Sequence, residues 1–196
     1  MLVEAEGPVV DDNDAAAVAR VRGVFEDVVA GGFRADMVKG ASDEEIDAWA
    51  AAQGVRMVPA AVREILRIMG KQGGAWLPGT TFGVRMVDAE VREHAGWCVD
   101  EADERGIPHG MRDPADMLVV TEGGSYVYLV VDGSDLDEPD PPMWVLYESG
   151  KVTRSSDSVT TWFAKVGEHV LEARHMLADR RARGHPDPQR EATHRW

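Results

Sequence analysis

Met117-Leu118-Val119-Val120-Thr121-Glu122-Gly123-Gly124-Ser125-Tyr126-Val127-Tyr128-Leu129-Val130-Val131 is the stretch that decides the fold class. Met117–Thr121 and Tyr126–Val131 are β-branched, aromatic and apolar, and Glu122-Gly123-Gly124-Ser125 between them carries turn residues, so the pattern predicts a β-hairpin. Downstream, Met143–Tyr147 reads as a third strand. Glu148-Ser149-Gly150-Lys151 turns it into a fourth, Val152–Arg154. Upstream, Phe82–Val87 reads as a further short strand.

Helical periodicity surrounds this β-rich centre. Val18, Val21, Phe25 and Val28 recur at three and four residues, and Gly31-Gly32 ends the helix they mark. Ser42 and Glu45 form a capping box for a second helix carrying Ile46 and Trp49 inward, stopped by Gly54. After Pro59, Val62, Ile65, Leu66 and Met69 mark a third, so Ile46, Trp49, Ile65 and Leu66 form the facing seam of a helical hairpin. Ala89–Arg105 suits a helix carrying Val91, Trp97 and Cys98. Ser155-Ser156-Asp157-Ser158 offers caps for a long last helix whose inward stripe is Val159, Trp162, Phe163, Val166, Val170 and Leu177. The expected fold is α+β: an antiparallel or mixed central sheet, with helices from both ends of the chain packed on it. Residues 1–40 form an amino-terminal leader and helix, 41–174 the α+β domain, and 175–196 a basic helix end with a frayed tail.

Length, composition and charge bound the function. With 196 residues and 44% hydrophobic side chains the chain is long enough for one domain with a full core. The longest apolar run, Tyr126–Val131, is far short of a membrane span, and the start Met1-Leu2-Val3-Glu4-Ala5-Glu6 lacks the basic, then apolar pattern of a secretory signal. The single cysteine, Cys98, permits no internal disulfide. A cytoplasmic location is the expectation. The formal net charge is −14, and it is carried by residues 1–170, at −16. Such a body repels nucleic acid and anionic membranes and attracts basic partners.

A catalytic or metal constellation is not legible. His169 and His175 lie six residues apart, whereas a zinc helix places its ligands at i and i+4 on one face. His94 and His109 have no partner at a diagnostic spacing. Gly123-Gly124-Ser125 lacks both the G-x-S-x-G context of a nucleophile elbow and the Lys of a phosphate loop. Cys98, among apolar neighbours, reads as core. No catalytic residue, metal or cofactor is expected. The segment from Asp132 to Pro142 fails the calcium-loop pattern, yet places Asp132, Asp135, Asp137, Glu138 and Asp140 between two strands with no basic residue between Arg112 and Lys151. Two readings stand: a solvated connection whose prolines blunt a sheet edge, or a set of mutually repelling carboxylates, restrained by Pro139, Pro141 and Pro142, that forms an electrostatic contact surface for a basic partner.

Ser42 to Gly74 then carries a family resemblance. The capped helix start with Ile46 and Trp49, Gly54, Val58-Pro59, the helix Val62-Arg63-Glu64-Ile65-Leu66 and the following Gln72-Gly73-Gly74 resemble the opening of the SUKH superfamily, with Gln72 in place of the usual Asn. The hairpin within Met117–Val131 and the closing helix of Ser158–Val170 are similar to later elements of that family, so the resemblance covers about residues 40–172. It implies an α+β domain without shared catalytic residues. It also implies an immunity protein that binds and neutralises a cognate polymorphic toxin, a basic nuclease being a natural partner for this charge. The alternatives are a non-catalytic regulatory or scaffold protein of the same fold, and a small hydrolase using His94 or His109.

Overall fold

The computed structural model describes residues 12–187, so the expected leader and the end of the expected tail lie outside the described residues. In chain order the described elements are α1 (Asp12–Ala30), α2 (Asp43–Ala52), α3 (Ala60–Met69), β1 (Thr81–Phe82), α4 (Ala89–Glu104), β2 (Leu118–Gly123), β3 (Val127–Val131), β4 (Met143–Tyr147), β5 (Val152–Ser156) and α5 (Val159–Ala182). The strands form one antiparallel sheet in the order β1-β2-β3-β4-β5, each paired with its neighbour in sequence. The protein is α+β, and its sheet is antiparallel rather than mixed.

Local chemistry accounts for the helix starts. Ser42 Oγ accepts from Glu45 N at 3.3 Å and Glu45 Oε2 accepts from Ser42 N at 2.8 Å, closing the capping box at α2. Asp88 Oδ1 accepts from the backbone N–H of Glu90 and of Val91, both at 3.1 Å, and opens α4. Ser158 Oγ accepts from Thr161 N at 3.0 Å at the head of α5. Gly54, at φ +73°, turns the chain out of α2.

The expected strand over Phe82–Val87 is much shorter in the structure. Only Thr81 and Phe82 pair, with Glu122 and Thr121 of β2. Gly83 turns the chain away at φ +99°, so close to Gly70 that a β-carbon would sit 2.3 Å from the Gly70 carbonyl oxygen. Val84 N donates to that same oxygen at 2.9 Å, in place of a continued ladder.

The sheet is covered on both faces. α1, α2, α3 and α5 pack on one, with Leu118, Val120, Val131 and Met143; α4 packs on the other, with Val119, Tyr128, Val130 and Leu146. Burial on both faces explains why Met117–Val120 and Val127–Val131 are continuously apolar rather than alternating. Ile46, Trp49, Ile65 and Leu66 are buried in the first core, as the hairpin seam requires. The helix read as an amino-terminal addition lends Ala17, Val21 and Val28 to that core. It is pinned there by Arg22, whose Nε donates to the buried Glu64 carboxylate at 2.6 Å. Where α1 meets α5, a β-carbon on Gly167 would lie 2.7 Å from Val28 Cγ2, so glycine permits the close crossing. Trp76, in a loop, is fully buried and stacks on Phe163 with ring centroids 4.6 Å apart.

Trp97 lies on α4, as expected, and on its outer side. It is 56% exposed, while Ala95, Cys98, Val99 and Ala102 are buried. Those four follow the i, i+3, i+4, i+7 spacing, and at 100° per residue Trp97 falls off their stripe.

Candidate functional site

The acidic segment between β3 and β4 differs from the expected field of unrelieved charge. Asp132 is 1% exposed and Asp135 5%. The Asp132 carboxylate accepts from three backbone N–H groups: Arg112 at 2.6 Å, Asp113 at 2.8 Å and Ser134 at 3.1 Å. Asp135 is ion-paired to the Arg112 guanidinium. Asp140 Oδ1 accepts from Thr160 N at 2.8 Å in the first turn of α5, and its Oδ2 pairs with Arg20 of α1 at 3.2 Å. The neighbouring prolines take part through their carbonyls. Pro139 O accepts from Ala61 N at 2.9 Å at the head of α3, and Pro141 O from Val159 N at 2.8 Å at the head of α5.

These contacts correct the picture of mutual repulsion. Helix starts leave backbone donors without intrahelical partners, and this segment supplies acceptors to two of them while tying in α1. Arg112 and Arg20 supply in space the positive charge that is missing locally in sequence. Asp132, Asp135 and Asp140 are thereby held within the fold; Asp137 and Glu138 remain exposed.

A second concave surface was not singled out in the sequence. A cleft of about 600 Å³ lies between α4 and the turns of the β2–β3 and β4–β5 hairpins, with His94, Trp97, Glu101, Ser125 and Glu148 on its walls. The buried Cys98 and Tyr128 also line it. The His94 ring lies against the Trp97 indole with centroids 4.6 Å apart. Gly124 and Ser125 both take left-handed backbone, at φ +60° and +64°, as the central pair of a tight hairpin turn. The Tyr128 hydroxyl donates to Ser125 O at 3.2 Å, fixing that turn against the sheet. Arg105 closes one end, donating to Ser149 O at 2.7 Å and lying 3.5 Å from Glu101.

Two buried groups on the cleft wall are shifted in acidity. Burial, with the nearby Glu148 charge, pushes the Cys98 thiol up to about 11, which keeps it protonated and unreactive at neutral pH. Burial likewise pushes the Tyr128 hydroxyl upward. His94 is inside the cleft with Ser125, and its ring makes no hydrogen bond among the described residues. His109 Nε2 lies 3.3 Å from an Asp103 carboxylate oxygen, apart from the cleft lining. His169 and His175 are exposed on α5. Among the described residues, no three His, Cys, Asp or Glu side chains converge to hold a metal ion, and no helix is long and apolar enough to cross a membrane.

The Trp97 signal was present in the sequence, in the spacing of Ala95, Cys98, Val99 and Ala102. The cleft itself depends on two hairpin turns meeting one helix, which no local pattern encodes. Compared with family models, with curated proteins and with solved structures, the chain gives no significant match.

Proposed function

We propose that this protein is a cytoplasmic immunity protein, one that neutralises a basic protein toxin by stoichiometric binding and without chemistry of its own. The observation that carries the reading is the charge: −14 overall, on a body whose exposed carboxylates include Asp137 and Glu138 on one surface and Glu148 on another. Opposite charge accelerates encounter and selects partners, and it disfavours nucleic acid and anionic membrane as ligands. The resemblance of residues 40–172 to the SUKH superfamily supports the same reading. So does the order of elements, with a helical hairpin leading into an antiparallel meander and a closing helix.

The small-hydrolase reading rests on one observation, the place of His94 in a cleft beside Ser125. Co-expression with the product of an adjacent toxin-like reading frame separates the readings. The immunity reading expects the two chains to co-purify as a defined complex, with host growth restored. Growth restored without any complex, and lost in a His94→Ala variant, would favour the hydrolase. Neither a complex nor protection would leave the scaffold reading.

A further inference from the structure

The strongest unassigned feature is the cleft between α4 and the two hairpin turns. Exposed tryptophan is expensive to leave in water and recurs at the centres of protein interfaces. Trp97 is 56% exposed, and the neighbouring hairpin tip adds Tyr126 at 62%. Two carboxylates, Glu101 and Glu148, share the wall with His94 and the hydroxyl-bearing Ser125, Tyr128 and Ser149. Glu101 is partly offset by Arg105, whereas the Glu148 carboxylate has no ion-pair partner among the described residues. The Glu122 carboxylate, beneath the turn, accepts from Ser125 N.

An indole face and a free carboxylate at one concave site select a particular chemistry. A planar guanidinium stacks on an aromatic ring and presents its edge N–H groups to a carboxylate, which a compact ammonium does less well. Apolar ligands would leave Glu148 desolvated, and anions would meet Glu101 and Glu148. We propose that this cleft receives an arginine side chain carried by a basic protein partner, with its guanidinium lying on the Trp97 indole and reaching the Glu148 carboxylate. The left-handed Gly124-Ser125 turn and the Tyr128 hydroxyl hold the opposite wall fixed, so the pocket is formed before its guest arrives. The inference rests on the binding-protein reading above and assigns to it a point of contact.

The test uses the whole protein and no toxin. Amide and indole NMR spectra are followed while acetyl-Gly-Arg-Gly-amide is added, and again with the citrulline peptide, which keeps the shape and loses the charge. The arginine peptide should shift the Trp97 indole N–H and the Ser125 and Ser149 amides saturably, and the citrulline peptide should not. Glu148→Gln and Trp97→Ala, both at exposed positions, should each weaken binding about threefold or more while the remaining spectrum stays native. Equal shifts with citrulline, shifts only elsewhere, no shifts, or undiminished binding by both variants would overturn the proposal. Such a failure leaves toxin neutralisation to its own test, and failure of neutralisation leaves a peptide result here standing.

Discussion

The side chain of Gln53 is paired to the main chain of Val119 as a neighbouring strand would be. Gln53 Nε2 donates to Val119 O at 3.2 Å, and Gln53 Oε1 accepts from Val119 N at 3.0 Å. β1 reaches only Thr121 and Glu122, and the β2–β3 register shifts between Val119 and Thr121. The outer edge of β2 would otherwise bury an unpaired donor and acceptor there, and the amide at the end of α2 satisfies both.

Gln53→Ala should therefore cost roughly 2–4 kcal/mol, since it orphans two buried main-chain groups. Chemical denaturation measures this. A loss under about 0.5 kcal/mol, the size expected of an ordinary surface substitution, would contradict the bonding role.

Two tryptophans should behave in opposite ways. Trp49, 3% exposed in the hairpin seam, should cost roughly 3–5 kcal/mol when replaced by Ala. Trp97→Ala should change stability by no more than about 0.5 kcal/mol. Thermal and urea unfolding of the two variants decide this; a stable Trp49→Ala protein that merely loses partner binding would refute the core assignment.

Much of the fold was legible because it is written in local chemistry. The Ser42–Glu45 box, the Gly124-Ser125 turn and the α5 stripe each depend on neighbours in sequence. The candidate site is less legible because its charges are balanced across space and not along the chain. Asp132, Asp135 and Asp140 looked unrelieved, but Arg112, Arg20 and the starts of α3 and α5 reach the loop only after folding. Trp76 and Gln53 carry no periodic signal at all, since one lies in a loop and the other follows the last turn of its helix.

The acidic segment should accordingly divide in two. Asp132→Asn should destabilise the fold, by about 1–3 kcal/mol, because its carboxylate holds three backbone N–H groups together. The pair Asp137→Asn and Glu138→Gln should leave stability within about 0.5 kcal/mol while slowing association with a basic partner. Denaturation curves and association rates at two salt concentrations test both halves. A stable Asp132→Asn protein, or unchanged rates and salt dependence in the double variant, would count against this division.

Acid should weaken the α2–α3 hairpin. The Arg67 side chain holds the Asp43 carboxyl below its ordinary range, with Arg63 adding to the effect. Lys71, then the Ser42 N–H, does the same for Glu45. Depressed folded-state values mean that these carboxylates add stability above their unfolded values, near pH 4, and lose it as pH falls through the folded ones. Stability should thus decline below about pH 4, and the decline should be shallower in Asp43→Asn. An identical acid profile in that variant would show that the pair contributes nothing.

Neutralisation by binding is read out in a single titration. Residual activity of the cognate toxin is measured, at a toxin concentration well above the dissociation constant, as this protein is added in steps. A straight fall to zero at one equivalent is expected, with no further change over time. Complete inactivation by a small fraction of an equivalent, progressing with time, would mean turnover and contradict it; so would full toxin activity in molar excess of this protein.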